Sequence, residues 1–340
     1  AAVPAGARIL NFVWVYKVKR DGTFKARLCV QGSAQREGID YDQSFSAALR
    51  SSSFRVIAAL AARHHMHLRR WDLTTAYLQG RLNPDEHVYV RPPPGQPTTD
   101  ARGTRMCCAV DRPIYGLVQS GRRFQRDFFP WLISQGFTQC HSDPCVFTLT
   151  DGNERIILGI YVDDVCVAHT HTETSSRFHA FSTNFFARWH AEDEGQLSDL
   201  LNVQVRRETD GDITLHQSAY IDSLTARFFP DGVPHHVQRN STPSSPDIAQ
   251  HVVAALAAAP TADTNLLSTY PSLVGALLYA ATNTRPDVAY TVSMLTRAMA
   301  RPTPDLLDDA YRCLSYLHRH RAIGLRFSCT RAPRATHVHA

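Results

Sequence analysis

Two adjacent carboxylates interrupt a strongly apolar stretch near the middle of the chain. Asp163 and Asp164 follow the apolar run 156–162 and precede the run 165–168, and both runs are typical of buried β-strands. Neighbouring carboxylates between such strands repel each other and lose hydration, so a cation is needed to offset the cost. Divalent ions, Mg²⁺ above all, suit oxygen ligands of this kind. The alternative at this point is an exposed Asp-Asp turn that binds nothing.

A third carboxylate, Asp72, lies at the end of a further short strand-like segment, 67–73. On a neighbouring strand it would complete a site for two metal ions, which clamp the attacking and leaving oxygens of an in-line displacement. Nucleotidyl transfer needs such a clamp because its catalysis consists largely of positioning and charge neutralisation. We therefore predict that Asp72, Asp163 and Asp164 converge on one side of a β-sheet.

The elements that must position these carboxylates follow from the hydrophobic pattern. Hairpins are predicted around the turn signals Asp21-Gly22 and Asp210-Gly211. Helices are predicted over 54–65, 119–132, 172–189, 218–228, 270–281, 286–299 and 304–320. Residues 231–267 have little pattern and are predicted to be an irregular linker. The plan is an α+β body followed by a helical C-terminal unit, whose shared core is predicted to contain Leu273, Leu277, Leu278, Val292, Leu295 and Leu314.

The composition excludes several classes of protein. Of the 340 residues 44% are hydrophobic and 20% are charged, which argues against global disorder, and we expect no membrane-spanning helix because long apolar stretches are absent. The net charge of +5 permits a polyanionic partner without requiring one. Eight scattered cysteines favour neither a disulfide scaffold nor a zinc site. The chain begins without Met or a charged leader, so we expect a piece of a longer protein.

Seven motifs occur in a fixed order along the chain. They are KARLCVQG at 25–32, GIDY with FS at 38–46, DLTTAYLQG at 72–80, IYGLVQS at 114–120, YVDD at 161–164, YPSLVGALLY at 270–279 and TRPDVA at 284–289. In type and order they resemble the motifs of the reverse transcriptase of copia-type retrotransposon polyproteins. The resemblance extends from about residue 4 to residue 327. The chain departs from the usual pattern at Val118, Gly121, Phe124 and Pro271, all outside the three carboxylates.

This resemblance implies a right-hand polymerase of fingers, palm and thumb, with an antiparallel palm sheet and a helical C-terminal unit. It implies that Asp72, Asp163 and Asp164 are the catalytic residues and the metal ligands of the palm. Tyr77 would be a steric gate that crowds a ribose 2′-OH and favours dNTPs, the alternative being a core aromatic. Gln119 would lie beside the incoming nucleotide.

The fingers hairpin supplies the candidate cations of the site. By resemblance, Lys25 and Arg27 would meet the triphosphate of the dNTP. Lys17 and Lys19 are further candidates, since the register of a hairpin is not fixed by sequence. The alternative for all four is a solvated basic face.

The implied domain plan assigns fingers and palm to 1–230 and the linker to 231–267. A helical thumb- or connection-like unit would follow over 268–327, and a divergent tail over 328–340. The tail contains no carboxylate and so could not supply an RNase H metal site. We interpret it as the product of a truncation or frameshift.

The implied function is RNA-directed DNA polymerase activity, with two Mg²⁺ ions, or Mn²⁺ in their place, promoting transfer from a dNTP to a primer 3′-OH. The expected partners are an RNA or DNA template with a DNA primer, dNTPs, and the RNase H and integrase modules of the polyprotein, with no membrane. The expected location is intracellular, in cytoplasmic virus-like particles, with a nuclear phase. One alternative is a truncated, decayed or domesticated copy that at most binds nucleic acid. Another, an unrelated α+β metal hydrolase, would explain the carboxylates but not the other motifs.

Overall fold

A computed structural model describes residues 3–4, 6–18, 22–84, 86–170, 176–238 and 241–330. The predicted turn residue Asp21, the candidate cation Lys19 and the tail beyond residue 330 lie outside these ranges. The chain forms two compact units. Unit 1 contains the residues up to Ile57 together with Met66–Gln196, and unit 2 contains Ala58–His65 and the residues from Leu197 on.

The described residues form an α+β structure, as predicted. The strands are β1 (Ile9–Leu10), β2 (Phe12–Val18), β3 (Phe24–Val30), β4 (His67–Leu73), β5 (Val88–Val90), β6 (Cys108–Val110), β7 (Thr138–Gln139), β8 (Val146–Asp151), β9 (Glu154–Tyr161), β10 (Asp164–His169), β11 (Ala191–Gln196), β12 (Asp199–Leu200), β13 (Val203–Arg207), β14 (Ile213–His216) and β15 (Gly324–Phe327). The helices are α1 (Ser51–Arg63), α2 (Ala76–Gln79), α3 (Ser120–Ser134), α4 (Arg177–Arg188), α5 (Ser218–Phe228), α6 (His235–Gln238), α7 (Ile248–Ala257), α8 (Thr264–Asn283), α9 (Ala289–Arg297) and α10 (Pro304–Arg319). Short 3₁₀ helices occupy Gly32–Ala34 and Pro286–Val288.

Unit 1 is organised around a six-stranded sheet with the strand order β11-β4-β10-β9-β8-β7. Every neighbouring pair in it is antiparallel. One face is covered by α4, where Phe178, Phe181, Phe185 and Phe186 surround the fully buried Trp71 of β4. On the other face the first part of α1 approaches β9 closely, because Gly159 has no side chain to meet Ile57 and Leu49. Apolar burial on both faces fixes the register of the central strands.

Strands β2 and β3 form a separate two-stranded hairpin in unit 1. Its register pairs Lys17 with Lys25 and Val15 with Arg27. Residues directly opposite each other, and alternate residues along a strand, share a face. Lys17, Lys25 and Arg27 therefore lie on one face of the hairpin.

Unit 2 combines a four-stranded sheet, β12-β13-β14-β15, with a cluster of helices. The helical core includes Leu273, Leu277, Val292, Leu295 and Leu314, as predicted. Leu278, predicted to belong to it, is instead 40% exposed, because it follows the buried Leu277 on α8 and faces away from the core. Arg285 is completely buried and forms an ion pair with Asp287 at 2.6 Å.

The prediction of an irregular linker over 231–267 is wrong. Helices α6 and α7 lie within this segment, and α8 begins there, at Thr264. Ile248, Val252 and Ala255 of α7 are buried in the same core as α8, α9 and α10. The spacing i, i+4, i+7 places them on one face of the helix, which packs as an integral part of unit 2.

A paired substitution in α7 tests this correction. Replacing Val252 by Ala removes buried methyl groups and should lower the free energy of unfolding by about 2 kcal/mol, from lost burial and an unfilled cavity. The neighbouring Val253 is 68% exposed, so Val253→Ala is the matched control and should have little effect. Urea unfolding of both variants measures the difference. Equal stabilities would mean that α7 does not pack in the core.

No helix among the described residues is both long and apolar enough to cross a bilayer.

Candidate active site

The predicted carboxylates Asp72 and Asp164 lie side by side on the central sheet. The antiparallel register of β4 and β10 places Asp164 directly opposite Asp72. Directly opposed residues project from the same face, with Cβ atoms about 4.5–5.5 Å apart. Two segments more than ninety residues apart in sequence thus place their carboxylates next to each other.

Asp163 lies at the tip of the hairpin that joins β9 to β10. Tyr161 pairs with Asp164, which leaves Val162 and Asp163 as a two-residue loop. Val162 has a φ of 58°, in the left-handed region that a β-branched residue rarely adopts. The backbone N–H of Leu73 donates to the Asp163 carbonyl at 2.8 Å, which ties the loop to the end of β4. The strained turn is therefore held beside Asp72, as is common at functional sites.

The hairpin β2–β3 brings cations to these acids. The Arg27 guanidinium lies 3.8 Å from an Asp163 carboxylate oxygen and 4.8 Å from the centre of the Tyr115 ring. Lys25 is close enough to Asp72 for its charge to lower the pKa of that carboxyl. The structure therefore brings two of the predicted triphosphate-binding residues, Lys25 and Arg27, to the carboxylates. Lys17 shares their face of the hairpin.

Tyr77 lies in α2, just beyond the end of β4. Thr75, with a φ of 51°, turns the chain from the strand into this short helix. The Tyr77 ring packs against Tyr115, with 4.7 Å between ring centroids. Burial, followed by the charge of Asp163, raises the pKa of Tyr77, and the same causes raise the pKa of Tyr115 to about 12. Both phenols are therefore neutral near pH 7 and lie within the field of the acids.

A glycine makes the approach between Tyr115 and the hairpin β2–β3 possible. The N–H of Val30 donates to the Tyr115 carbonyl at 2.8 Å. Gly116 follows with a φ of 96°, and a side chain there would collide with the Val30 backbone. The glycine of the motif IYGLVQS is thus required by conformation and by close packing.

Gln119, predicted to lie beside the nucleotide, is completely buried. Its side-chain oxygen accepts a hydrogen bond from Gln35 at 3.0 Å, and its amide donates to the Asp40 carbonyl at 3.5 Å. In this arrangement Gln119 holds the segment that follows the hairpin β2–β3. A direct contact with nucleotide stays a prediction.

The electrostatics of the cluster favour a cation. Burial, and then the charge of Asp163, raise the pKa of Asp72. Burial also raises the pKa of Asp164, with Asp163 and Asp72 adding to the shift, although Arg70 opposes it. Both carboxyls are therefore destabilised in their charged form, a condition that a bound cation relieves.

The donor set suits a hard divalent ion, since all three acids offer carboxylate oxygens. As they stand, no three Asp, Glu, His or Cys side chains among the described residues form a group that could hold a metal ion. Asp164 Oδ1 is bound to Arg70, whose Nη2 lies 2.7 Å away. In chemistry the residues fit Mg²⁺, and Asp72, Asp163 and Asp164 are the candidate ligands.

Three residues near the acids were not predicted to have a role there: Tyr115, Arg70 and Glu192. Glu192 of β11 pairs directly with Asp72, and its charge contributes to the raised pKa of that residue. Arg70 could have been found from strand alternation, since it precedes Asp72 by two residues. Glu192 could not, because its placement depends on the pairing of β11 with β4.

Comparisons with known proteins identify the family of the chain. The sequence model of the family "Reverse transcriptase (RNA-dependent DNA polymerase)" matches residues 1–230. The chain belongs to this reverse transcriptase family. The matched region passes the boundary of compact unit 1 at Gln196 and includes β12–β14 and α5 of unit 2.

The relatives are Pol polyproteins of retrotransposons, which confirms the copia-type resemblance. The chain is 31% identical over 326 residues to the retrovirus-related Pol polyprotein from transposon TNT 1-94 of Nicotiana tabacum, covering 93% of this chain and 23% of the polyprotein. It is 30% identical over 325 residues to the retrovirus-related Pol polyprotein from transposon RE1 of Arabidopsis thaliana, covering 92% of this chain and 20% of that polyprotein. The chain is also 23% identical over 324 residues to the transposon Ty1-BL Gag-Pol polyprotein of Saccharomyces cerevisiae, covering 92% of this chain and 17% of that polyprotein. The chain thus spans about a fifth of the length of these relatives. No solved structure matches.

Proposed function

We propose that the chain is the polymerase module of a copia-type retroelement and catalyses RNA-directed DNA synthesis. In this proposal residues 1–230 supply the fingers and the palm, and the helices within 268–327 act as a thumb or connection. The observation that carries the proposal is the direct pairing of Asp72 with Asp164 on the central sheet, with Asp163 tied to the end of β4. Membership of the reverse transcriptase family supports the same chemistry.

The carboxylates would hold the cations that the reaction requires. Asp72 and Asp163 would hold Mg²⁺, joined by Asp164 when its carboxylate is shared with Arg70. Bound divalent ions would supply Lewis-acid charge to the primer 3′ oxygen and to the phosphates of the dNTP. The sheet and the hairpin β9–β10 keep the acids in place, so little reorganisation is needed during the reaction.

The cations and the aromatic residues select the nucleotide. Lys25 and Arg27 would attract the triphosphate, and Arg27 would exchange its long contact with Asp163 for a phosphate oxygen. Tyr77, supported by Tyr115, would occupy the space that a ribose 2′-OH requires. The template–primer would be held mainly through its phosphates, so binding should weaken as salt rises.

Primer extension tests the proposal. A DNA primer annealed to an RNA template, with Mg²⁺ and four dNTPs, should be extended by the purified chain, and EDTA should stop extension. A gel-shift measurement on the same template–primer reports binding separately. Binding without extension, in Mg²⁺ and in Mn²⁺, would contradict the proposal and favour the decayed copy.

A further inference from the structure

We propose that Arg70 is a positioning residue that fixes the Asp164 carboxylate through one oxygen and competes with divalent ions for it. The inference rests on the proposed function, since it concerns the metal ligands of that reaction. Arg70 would act as a built-in counter-charge that keeps the acidic cluster folded while no metal is bound. It would also set how much metal the cluster needs.

The geometry of the pair is specific. Arg70 precedes Asp72 by two residues on β4, so both project from the same face of the sheet. Its Nε and Nη2 atoms donate to Asp164 Oδ1 at 3.0 and 2.7 Å. Because both bonds use Oδ1, the other carboxylate oxygen stands outside this contact and can turn toward a metal ion.

A second acid holds Arg70 from the neighbouring strand. Its Nε lies 3.0 Å from Glu194 Oε2. The pairing of β11 with β4 shifts between Asp193 and Gly195, which makes Glu194 the extra residue of a bulge. Bulges commonly re-aim a side chain near an active site, and here the bulge directs Glu194 to Arg70.

The charges explain why the pair should matter. Arg70 and Asp164 are each about three-quarters or more buried, with 24% and 20% of their side chains exposed, so their interaction is screened less than that of a surface pair. The charge of Arg70 opposes the repulsion felt by both Asp72 and Asp164. A divalent ion at the same carboxylate would meet a fixed positive charge. Removing that charge should therefore destabilise the metal-free protein and strengthen metal binding.

The strand supplies a matched control. Arg69 forms an ion pair of the same length with Asp193, at 2.7 Å, on the opposite face of the same strand, where both side chains are more exposed. Arg70→Gln and Arg69→Gln change the net charge equally. The first removes the contacts with Asp164 and Glu194, and the second removes the contact with Asp193. Of the two arginines, Arg70 lies on the face of β4 that carries Asp72, and Arg69 lies on the other face. Arg70→Lys keeps the charge while losing the two-nitrogen contact.

The first measurement is Mn²⁺ affinity, from the electron paramagnetic resonance signal of free Mn²⁺ in a titration of each full-length chain. Arg70→Gln should bind Mn²⁺ about tenfold more tightly than wild type, because one nearby positive charge is gone. Arg69→Gln and Arg70→Lys should stay close to wild type. Equal affinities for Arg70→Gln, Arg69→Gln and wild type would overturn the proposal. If Arg70→Gln does not fold, a wild-type affinity of Arg70→Lys supports the proposal, and a tenfold change overturns it.

A second measurement separates this inference from the proposed function. Thermal unfolding without divalent ions is compared for wild type, Arg70→Lys, Asp164→Asn and the double variant, and needs neither metal nor activity. Replacing either partner should lower the unfolding midpoint. The decrease in the double variant should be smaller than the sum of the decreases in the two single variants. If the two losses in unfolding midpoint are additive, Arg70 and Asp164 do not interact, and the proposal is overturned. If wild type does not bind Mn²⁺ but the losses are non-additive, the proposed function fails while the role of Arg70 in holding Asp164 stands.

Discussion

Replacing Asp72 or Asp163 by Asn is expected to lower the rate of primer extension by about 10³-fold or more, since each removes a carboxylate that would hold the catalytic metal ions. Asn has almost the same size as Asp, so the fold should persist. Burial and mutual repulsion make Asp72 costly in its charged form, and its neutral variant should unfold no more readily than wild type. The measurement is the initial rate of extension on an RNA template, with circular dichroism as the check on folding.

The control for these variants is Asp193→Asn. Asp193 lies on β11 opposite Trp71 and pairs with Arg69, on the face away from the carboxylates. Its replacement should leave the rate within a few-fold of wild type, because surface ion pairs contribute little. An equal loss of extension rate in Asp193→Asn and Asp163→Asn would indicate a general effect of charge or folding and would contradict a specific role for the carboxylates.

Replacing Tyr77 by Val is expected to lower discrimination against rNTPs by about 10²-fold, the scale on which a shaped pocket separates substrates that differ by a small group. The ring lies beyond the end of the strand that carries Asp72 and within the field of Asp163. Loss of the ring would open space at the sugar while leaving the carboxylates intact, so extension with dNTPs should change little. Single-nucleotide incorporation rates for dNTP and rNTP give the ratio.

Tyr77→Phe is the matched variant for this test. It keeps the ring against Tyr115 and loses only the hydroxyl, so it should discriminate as wild type does. If Tyr77→Val and Tyr77→Phe both keep the wild-type ratio of dNTP to rNTP incorporation, Tyr77 is a packing residue and the gate lies elsewhere.

The sequence predicted the part of the site that depends on local pattern. The apolar runs on either side of Asp163 and Asp164 form β9 and β10, and Asp72 is the last residue but one of β4. Strand alternation and a tight turn follow from residue type over a few positions, so they can be predicted from sequence. That the strand of Asp72 would lie beside the strands of the other two acids was expected from the chemistry of a two-metal site and from the family resemblance.

Other features that depend on contacts between distant segments of the chain were not predicted. The buried side chain of Gln119 forms hydrogen bonds with Gln35 and with the Asp40 carbonyl, some 80 residues away in sequence. No local pattern indicates such contacts. Glu192 reaches Asp72 only through the register of β11. Helix α7 differs, because its i, i+4, i+7 apolar spacing was visible, but the Pro- and Ser-rich sequence before it favoured a linker.

The most direct measurement asks which nucleotide the chain adds. A DNA primer is annealed to four RNA templates that differ only in the next base, and each is given one labelled dNTP at a time with Mg²⁺. The account predicts that the complementary dNTP alone is joined to the primer on each template, and that Asp163→Asn joins none. Addition that ignores the template, or addition by Asp163→Asn at the wild-type rate, would contradict RNA-directed synthesis at these carboxylates.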